Sequence, residues 1–339
     1  MISALYPDIK VINSLVISVW DIDASYIVHW YRGAALFCTN LVHKNRPINM
    51  TLKQKYQALI FTDLDGSLLD HDSYGFEVAK PMLKHLENLN IPVIPITSKT
   101  FSEVKRLRVT LHNRHPFIIE NGAAIAIPKN YFSVMPEGCC EESDFWVIAN
   151  SQRRQHWNQL IDNNAQDFEG EFETFTSIVK AKGYQGISDI TGLSLEQAEL
   201  SNQRNYSEPI QWLGSEARKQ QFIQTLTSAG GTLLQGGRFL ALGDKANKGS
   251  AFLQLTKLYQ QSSLLPDIHT LAIGDSGNDI SMLEAATSAI VIRSRTHSSP
   301  ILTRNKNLQI SDSFGPEGWT ETVSSWLTNF LEIGSKNYG

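Results

Sequence analysis

Cysteine is scarce in this chain. Cys38, Cys139 and Cys140 are its three, too few for the disulfide framework of a small secreted fold and without the spacing of a zinc site. A reducing, cytoplasmic setting is the expectation. Charge of one sign is also lacking, since 30 basic residues face 34 acidic ones for a formal net charge of −4. With no long basic run, nucleic acid is not expected as a partner. No uninterrupted apolar stretch has the length to span a bilayer, so no membrane partner is expected. Internal repeats and low-complexity segments are missing too. What is present is 339 residues, 42% hydrophobic and 19% charged, the composition of a soluble globular protein large enough for two domains.

The first fifty residues differ from the rest. Val11–Trp20 is apolar, but Asp21 and Asp23 follow at once, which argues against a signal peptide. Neither helical nor strand periodicity persists there, and Met50 stands just before the first well-patterned strand. Residues 1–50 therefore read as a leader, disordered or not translated.

From Tyr56 onward strand and helix patterns alternate, the mark of a parallel sheet with helices on its faces. Gln57–Asp63 is the first strand, and Ala79, Met82, Leu83, Leu86 and Leu89 then recur at helical spacing. Ile91–Ile96 is a second strand despite Pro92 and Pro95, and Thr100 with Glu103 makes a capping box. Phe117–Ile119 and Ala123–Ile127 flank an Asn121-Gly122 turn. After Pro128 aromatics cluster. Phe172, Phe175 and Val179 suggest one helix, and Ser194 with Gln197 caps another. Gly237–Leu242 is strand-like. Alternation then resumes through His269–Ile273, Ala289–Ile292 and a last helix carrying Trp319, Val323, Trp326 and Phe330. The expected fold is α/β: a Rossmann-like, doubly wound parallel-sheet core over 51–127 and 243–335, interrupted by an inserted α+β cap domain over 128–242.

Chemistry gathers where strands end. The first strand stops in Asp63-Leu64-Asp65-Gly66-Ser67. Two carboxylates at a buried strand tip are costly unless a cation compensates them, and hard oxygen ligands of this kind suit Mg²⁺. Taken alone, the same residues also describe a turn with two solvated acids. Thr97-Ser98-Lys99-Thr100 follows the second strand, and its hydroxyls, ammonium and free N–H groups form an anion site at a helix start. Lys248 opens a later helix, where the macrodipole disfavours a cation unless an anion holds it. Gly274-Asp275-Ser276-Gly277-Asn278-Asp279 follows another strand and adds two acids suited to a cation site. In parallel α/β sheets these carboxyl-terminal strand ends converge.

In this order the clusters resemble the four motifs of the haloacid dehalogenase-like phosphatases, over Tyr56 to about Leu331. Within that family the chain is similar to the mannosyl-3-phosphoglycerate phosphatases. The similarity is carried by Pro95–Thr100, Phe117–Ala123, Arg204-Asn-Tyr-Ser-Glu-Pro209 and Gly236-Gly-Arg-Phe239. Three positions depart from the pattern. Ser67 stands where threonine is usual, Gly277 where proline is commoner, and Ala241 where a histidine is expected; the last bears on substrate identity.

The resemblance implies a Mg²⁺-dependent phosphomonoester hydrolase. Asp63 is then the nucleophile, Asp65 the acid and base, and Thr97, Ser98 and Lys248 the phosphate ligands. Asp63, the backbone carbonyl of Asp65 and Asp275 form the metal site, with Asp279 nearby. Arg204, Ser207, Glu208 and Arg238 in the cap meet the substrate, a small phosphorylated sugar, with an arginine on its carboxylate and Glu208 on its hydroxyls. The product, mannosylglycerate, is a compatible solute. The alternatives are a phosphatase of another sugar phosphate, such as glucosyl-3-phosphoglycerate, and a non-enzymatic phospho-acceptor switch resembling bacterial receiver domains.

Overall fold

The computed structural model describes residues 58–235, 238–263 and 267–336, all within one unit, Lys53–Gly339. The expected leader and the pair Gly236-Gly237 lie outside the described residues. The first half of the core runs β1 (Ala58–Thr62), α1 (Lys80–Asn88), β2 (Val93–Pro95), α2 (Phe101–Thr110), β3 (Phe117–Ile119), β4 (Ala124–Pro128), β5 (Cys140–Glu142) and β6 (Phe145–Ala149). The cap follows with α3 (Arg154–Asn164), β7 (Phe172–Thr174), α4 (Phe175–Thr191), α5 (Leu195–Asn202), β8 (Glu208–Trp212), α6 (Glu216–Ser228), β9 (Thr232–Gln235) and β10 (Leu240–Gly243). The chain returns through α7 (Lys248–Ser262), β11 (His269–Gly274), α8 (Ile280–Ala285), β12 (Ser288–Arg293), β13 (Leu308–Phe314) and α9 (Glu317–Lys336).

The central sheet is parallel, in the order β13-β12-β11-β1-β2. Its strands alternate small and branched residues across two buried faces. Ile60, Leu271, Ile273, Ile290 and Ile292 pack into the cluster that includes Leu86, Val104, Trp319 and Val323 from α1, α2 and α9. Leu59, Phe61, Ala272, Ala289 and Val291 point the other way, onto Phe252, Leu255 and Tyr259 of α7. Both faces are covered by helices, which is why these strands read as continuous apolar runs rather than half-polar ones.

The cap boundary expected at Pro128 is corrected to about residue 150. Strand β6 pairs antiparallel with β4 over Ala124–Pro128 and with β5 beyond it, and a parallel bridge between Ile96 and Ile118 joins this group to β2. The two-face alternation continues through it: Ala124, Ala126, Phe145 and Val147 share one core cluster, and Ile125, Ile127, Trp146 and Ile148 the other. The aromatics Phe145 and Trp146 after Pro128 are thus strand packing of the core.

The cap itself is a four-stranded antiparallel sheet ordered β7-β8-β10-β9. Helices α3 and α6 close over it around Trp157, Phe222 and Leu226. Phe172, expected in a helix with Phe175, belongs instead to strand β7. The helix begins only after Thr174, whose side chain accepts from Ser177 N–H in a capping box. Phe222 is fully buried and its ring meets Phe168, Phe172 and Trp212. Phe222→Ala is expected to cost roughly 3–5 kcal/mol, read as a lowered urea midpoint; a loss below about 1 kcal/mol would show that the cap does not depend on this ring.

Candidate active site

Asp63 follows β1 directly, and its N–H donates to the Ile273 carbonyl of β11 at 2.8 Å. Asp275 follows β11, so both acids stand at adjacent strand ends. Asp279 lies one turn further on. Its Oδ2 accepts the N–H groups of Asp275 (3.1 Å) and Ser276 (3.0 Å), a cap that fixes the carboxylate against the loop. Lys248, the first residue of α7, is buried between them. Its Nζ lies 2.9 Å from Asp63 Oδ1 and 2.6 Å from Asp279 Oδ1. The anion that the sequence required for a lysine at a helix start is therefore this carboxylate pair.

Two close approaches make the geometry possible. Gly66 has φ +76°, and a Cβ there would stand 2.8 Å from Asp275 Oδ2. Gly122 has φ +98°, and a Cβ there would stand 2.2 Å from the Asn247 carbonyl, beside Lys248. Only glycine fits either position.

The charges do not balance. Asp63, Asp275 and Asp279 are all buried, and one ligand oxygen from each lies within 4.8 Å of the others. One ammonium faces three carboxylates. Burial pushes the Asp63 carboxyl up to about 7, against the pull of Lys248. Burial, reinforced by Asp63 and Asp279, pushes Asp275 up to about 8. Burial works against the charge on Lys248 as well, but Asp279 and Asp63 outweigh it and hold its pKa above the ordinary lysine value. The cluster is short of positive charge, and its all-oxygen donor set fits a hard divalent cation such as Mg²⁺.

Asp65, expected to serve a metal through its main-chain carbonyl, has its side chain engaged with the second motif. Its Oδ2 pairs with Lys99 Nζ at 2.8 Å, and its Oδ1 is buried without a hydrogen-bond partner. One oxygen of the carboxylate is thus tied to the second motif through Lys99. Thr97 is buried at the end of β2, beside β1, with its Oγ1 accepting Lys99 N–H at 3.2 Å. The Ser98 carbonyl accepts from Arg204 Nη1 at 3.1 Å, so this cap arginine reaches the core loop.

The other cap residues separate. Ser207 is buried and donates to Glu120 Oε2 at 2.6 Å. Arg238 donates to the carbonyls of Ile190 and Thr191 near the end of α4. Glu208 is the correction: it is fully buried, and its two oxygens are taken by Arg154 and by the N–H and hydroxyl of Thr176. A carboxylate so enclosed holds the cap together and has no capacity left for a sugar hydroxyl.

Lys99, the ammonium of the expected anion site, pairs with Asp65, and two residues to which the sequence assigned no role, Glu120 and His297, also stand at the site. Glu120 follows β3 and accepts from Asn205 N–H (2.9 Å), Tyr206 N–H (3.2 Å) and Ser207 Oγ, binding the cap loop to the core. As an acid at a strand end it obeys the rule that singled out Asp63, and that signal was available. His297 Nε2 lies 3.1 Å from Asp275 Oδ2; an exposed histidine in a Ser/Thr-rich loop gives no comparable signal.

The family model of the haloacid dehalogenase-like hydrolases matches residues 60–298. A protein of Methanococcoides burtonii named glucosyl-3-phosphoglycerate/mannosyl-3-phosphoglycerate phosphatase is 32% identical over 268 residues, covering 78% of this chain and 95% of that protein. A protein of the same name from Persephonella marina is 30% identical over 287 residues, covering 81% and 99%. Among solved structures, the Thermoplasma acidophilum protein 0175 superposes with a TM-score of 0.55 at 15% identity, over 80% of this chain and 98% of that one. A phosphatase of this superfamily from Bacteroides thetaiotaomicron gives 0.55 at 16% identity, over 80% and 95%. At such identities the structures speak for the fold. The family-model match and the two relatives of similar sequence establish that this chain belongs to the haloacid dehalogenase-like hydrolases.

Proposed function

We propose that this hydrolase removes the phosphate from glycosyl-3-phosphoglycerates, with mannosyl-3-phosphoglycerate as the leading substrate and its glucosyl counterpart as the close alternative. The observation that carries the reading is the buried triangle of Asp63, Asp279 and Lys248 with Asp275 beside it. Such a triangle is useful where an anionic nucleophile must meet an anionic phosphoryl group. The substrate class rests on the names of the two relatives of similar sequence.

In this mechanism Asp63 attacks phosphorus and takes the phosphoryl group as an aspartyl-phosphate. Asp65, two residues on, gives a proton to the leaving alkoxide and then removes one from the water that attacks phosphorus of the aspartyl-phosphate and frees Asp63. Lys248 holds Asp63 in place and neutralises charge on the transferring oxygens, with Thr97 and Ser98 donating from the neighbouring strand end. Asp63, Asp275 and Asp279, with Asp65 contributing through its main chain, are the residues that would hold Mg²⁺. The ion's contribution there is positive charge that lets the carboxylate and phosphate approach. The released glycosylglycerate, mannosylglycerate for the leading substrate, is a compatible solute.

Two predictions follow from the charge arrangement. Asp63→Asn is expected to lower phosphate release from mannosyl-3-phosphoglycerate by at least about 10³-fold with an intact circular dichroism spectrum. Turnover within tenfold of wild type would remove Asp63 from the role of nucleophile. The second concerns the metal-free protein. The carboxyls of Asp63 and Asp275 rise from 3.8 to about 7 and about 8 on folding, so the folded state binds more protons than the unfolded one in that window. Stability therefore falls as pH rises from about 4 to 8. Mg²⁺ is expected to raise the melting temperature, and more at pH 8 than at pH 5. A melting temperature indifferent to Mg²⁺ at both pH values would contradict the metal assignment.

A further inference from the structure

A phosphoglycerate differs from most sugar phosphates in carrying a carboxylate on the leaving alcohol, close to the ester oxygen. That charge needs a cation on the alcohol side of the site, and Lys248 is spent on the phosphoryl side between Asp63 and Asp279. Two cap arginines, Arg204 and Arg238, hold partners of their own, and Arg204 Nε is buried without one. Arg204 Nη1 donates to the Ser98 carbonyl and to Ser207 Oγ, with Glu120 at 4.0 Å. Arg238 is tied to the Ile190 and Thr191 carbonyls.

Lys99 is placed differently. It comes from the core, two residues past Thr97, and its side chain is 15% exposed. Its Nζ lies 2.8 Å from Asp65 Oδ2 and 4.8 Å from the centre of the Tyr74 ring. An ammonium has three donors, and Asp65 takes one of them. The ring covers one side of the ammonium by a cation–π contact. Asp65 must reach the leaving oxygen in order to protonate it. A cation touching Asp65 therefore stands beside the alcohol as it departs. The Asp65 Oδ1 atom is buried without a hydrogen-bond partner, so this acid keeps acceptor capacity that the protein itself does not fill.

We propose that Lys99 is the specificity-determining residue for phosphoesters whose alcohol carries a carboxylate, bridging Asp65 and that carboxylate through separate N–H donors. The assignment rests on the phosphatase reading with Asp65 as proton donor, and it moves carboxylate recognition from the cap to the core. A compact ammonium suits the task, because one of its donors stays on the acid while another meets the substrate. The bland competitor is that Lys99 only steadies Asp65. In that case every phosphoester would depend on it equally.

The test compares kcat/KM for mannosyl-3-phosphoglycerate with that for the analogue in which a hydroxymethyl group replaces the carboxylate. The proteins are full-length wild type, Lys99→Met, Lys99→Arg and Arg204→Met, each checked for an unchanged urea midpoint. The wild type is expected to prefer the carboxylate ester. Lys99→Met is expected to cut that preference about 10- to 100-fold, chiefly through KM, as expected for one charge-assisted pair. Lys99→Arg should restore most of the preference, and Arg204→Met should keep it. Equal losses on both esters in Lys99→Met would overturn the proposal, leaving Lys99 as a positioning residue for Asp65. So would a preference that survives Lys99→Met, or that disappears in Arg204→Met. Failure of the wild type to release phosphate from either ester would instead defeat the phosphatase reading itself.

Discussion

The fully buried ammonium of Lys248 is what the rest of the site depends on. An isolated cation there would be prohibitively expensive, and two carboxylates at 2.9 and 2.6 Å make it tolerable. The three residues come from β1, from the start of α7 and from the loop after β11, so one ion-paired cluster joins the chain before the cap to the chain after it. Any insertion between β6 and α7 must return the chain with Lys248 in register. Burial raises the carboxyls of Asp63 and Asp275, and the three grouped acids outnumber the one ammonium.

The cap is held by a second, independent buried carboxylate. Glu208 binds α3 to α4 through Arg154 and Thr176, and Glu120 binds the cap loop 205–207 to the core. Thr100 Oγ1, besides capping α2, donates to the Leu200 carbonyl of α5 at 3.0 Å.

Much of this was legible in the sequence, for a physical reason. Asp63, Asp275, Asp279 and Lys248 lie at points where a strand stops or a helix starts, and an ionisable residue there breaks a local rule visibly. The parallel core was readable because buried strands are apolar on both faces. The cap was less so. Glu208 and Arg154 sit far apart in the chain, and nothing local distinguishes a glutamate awaiting a ligand from one already enclosed by a distant arginine. The boundary at Pro128 failed for a related reason: Phe145, Trp146, Val147 and Ile148 alternate across the two faces of the core, yet alternation cannot tell which sheet a strand joins. Phe172 and Phe175 shared helical spacing by coincidence, one on either side of a cap.

The short stretch Glu120-Asn121-Gly122 ties three neighbours at once. Glu120 grips the amides of the cap loop, Asn121 Oδ1 accepts from Asn278 at 3.0 Å, and Gly122 lies flush against Asn247. A swing of the cap must therefore either drag this tripeptide along or tear the glutamate from its amides. In the first case the movement is handed directly to the start of α7, which carries Lys248, and to the turn that carries Asp279.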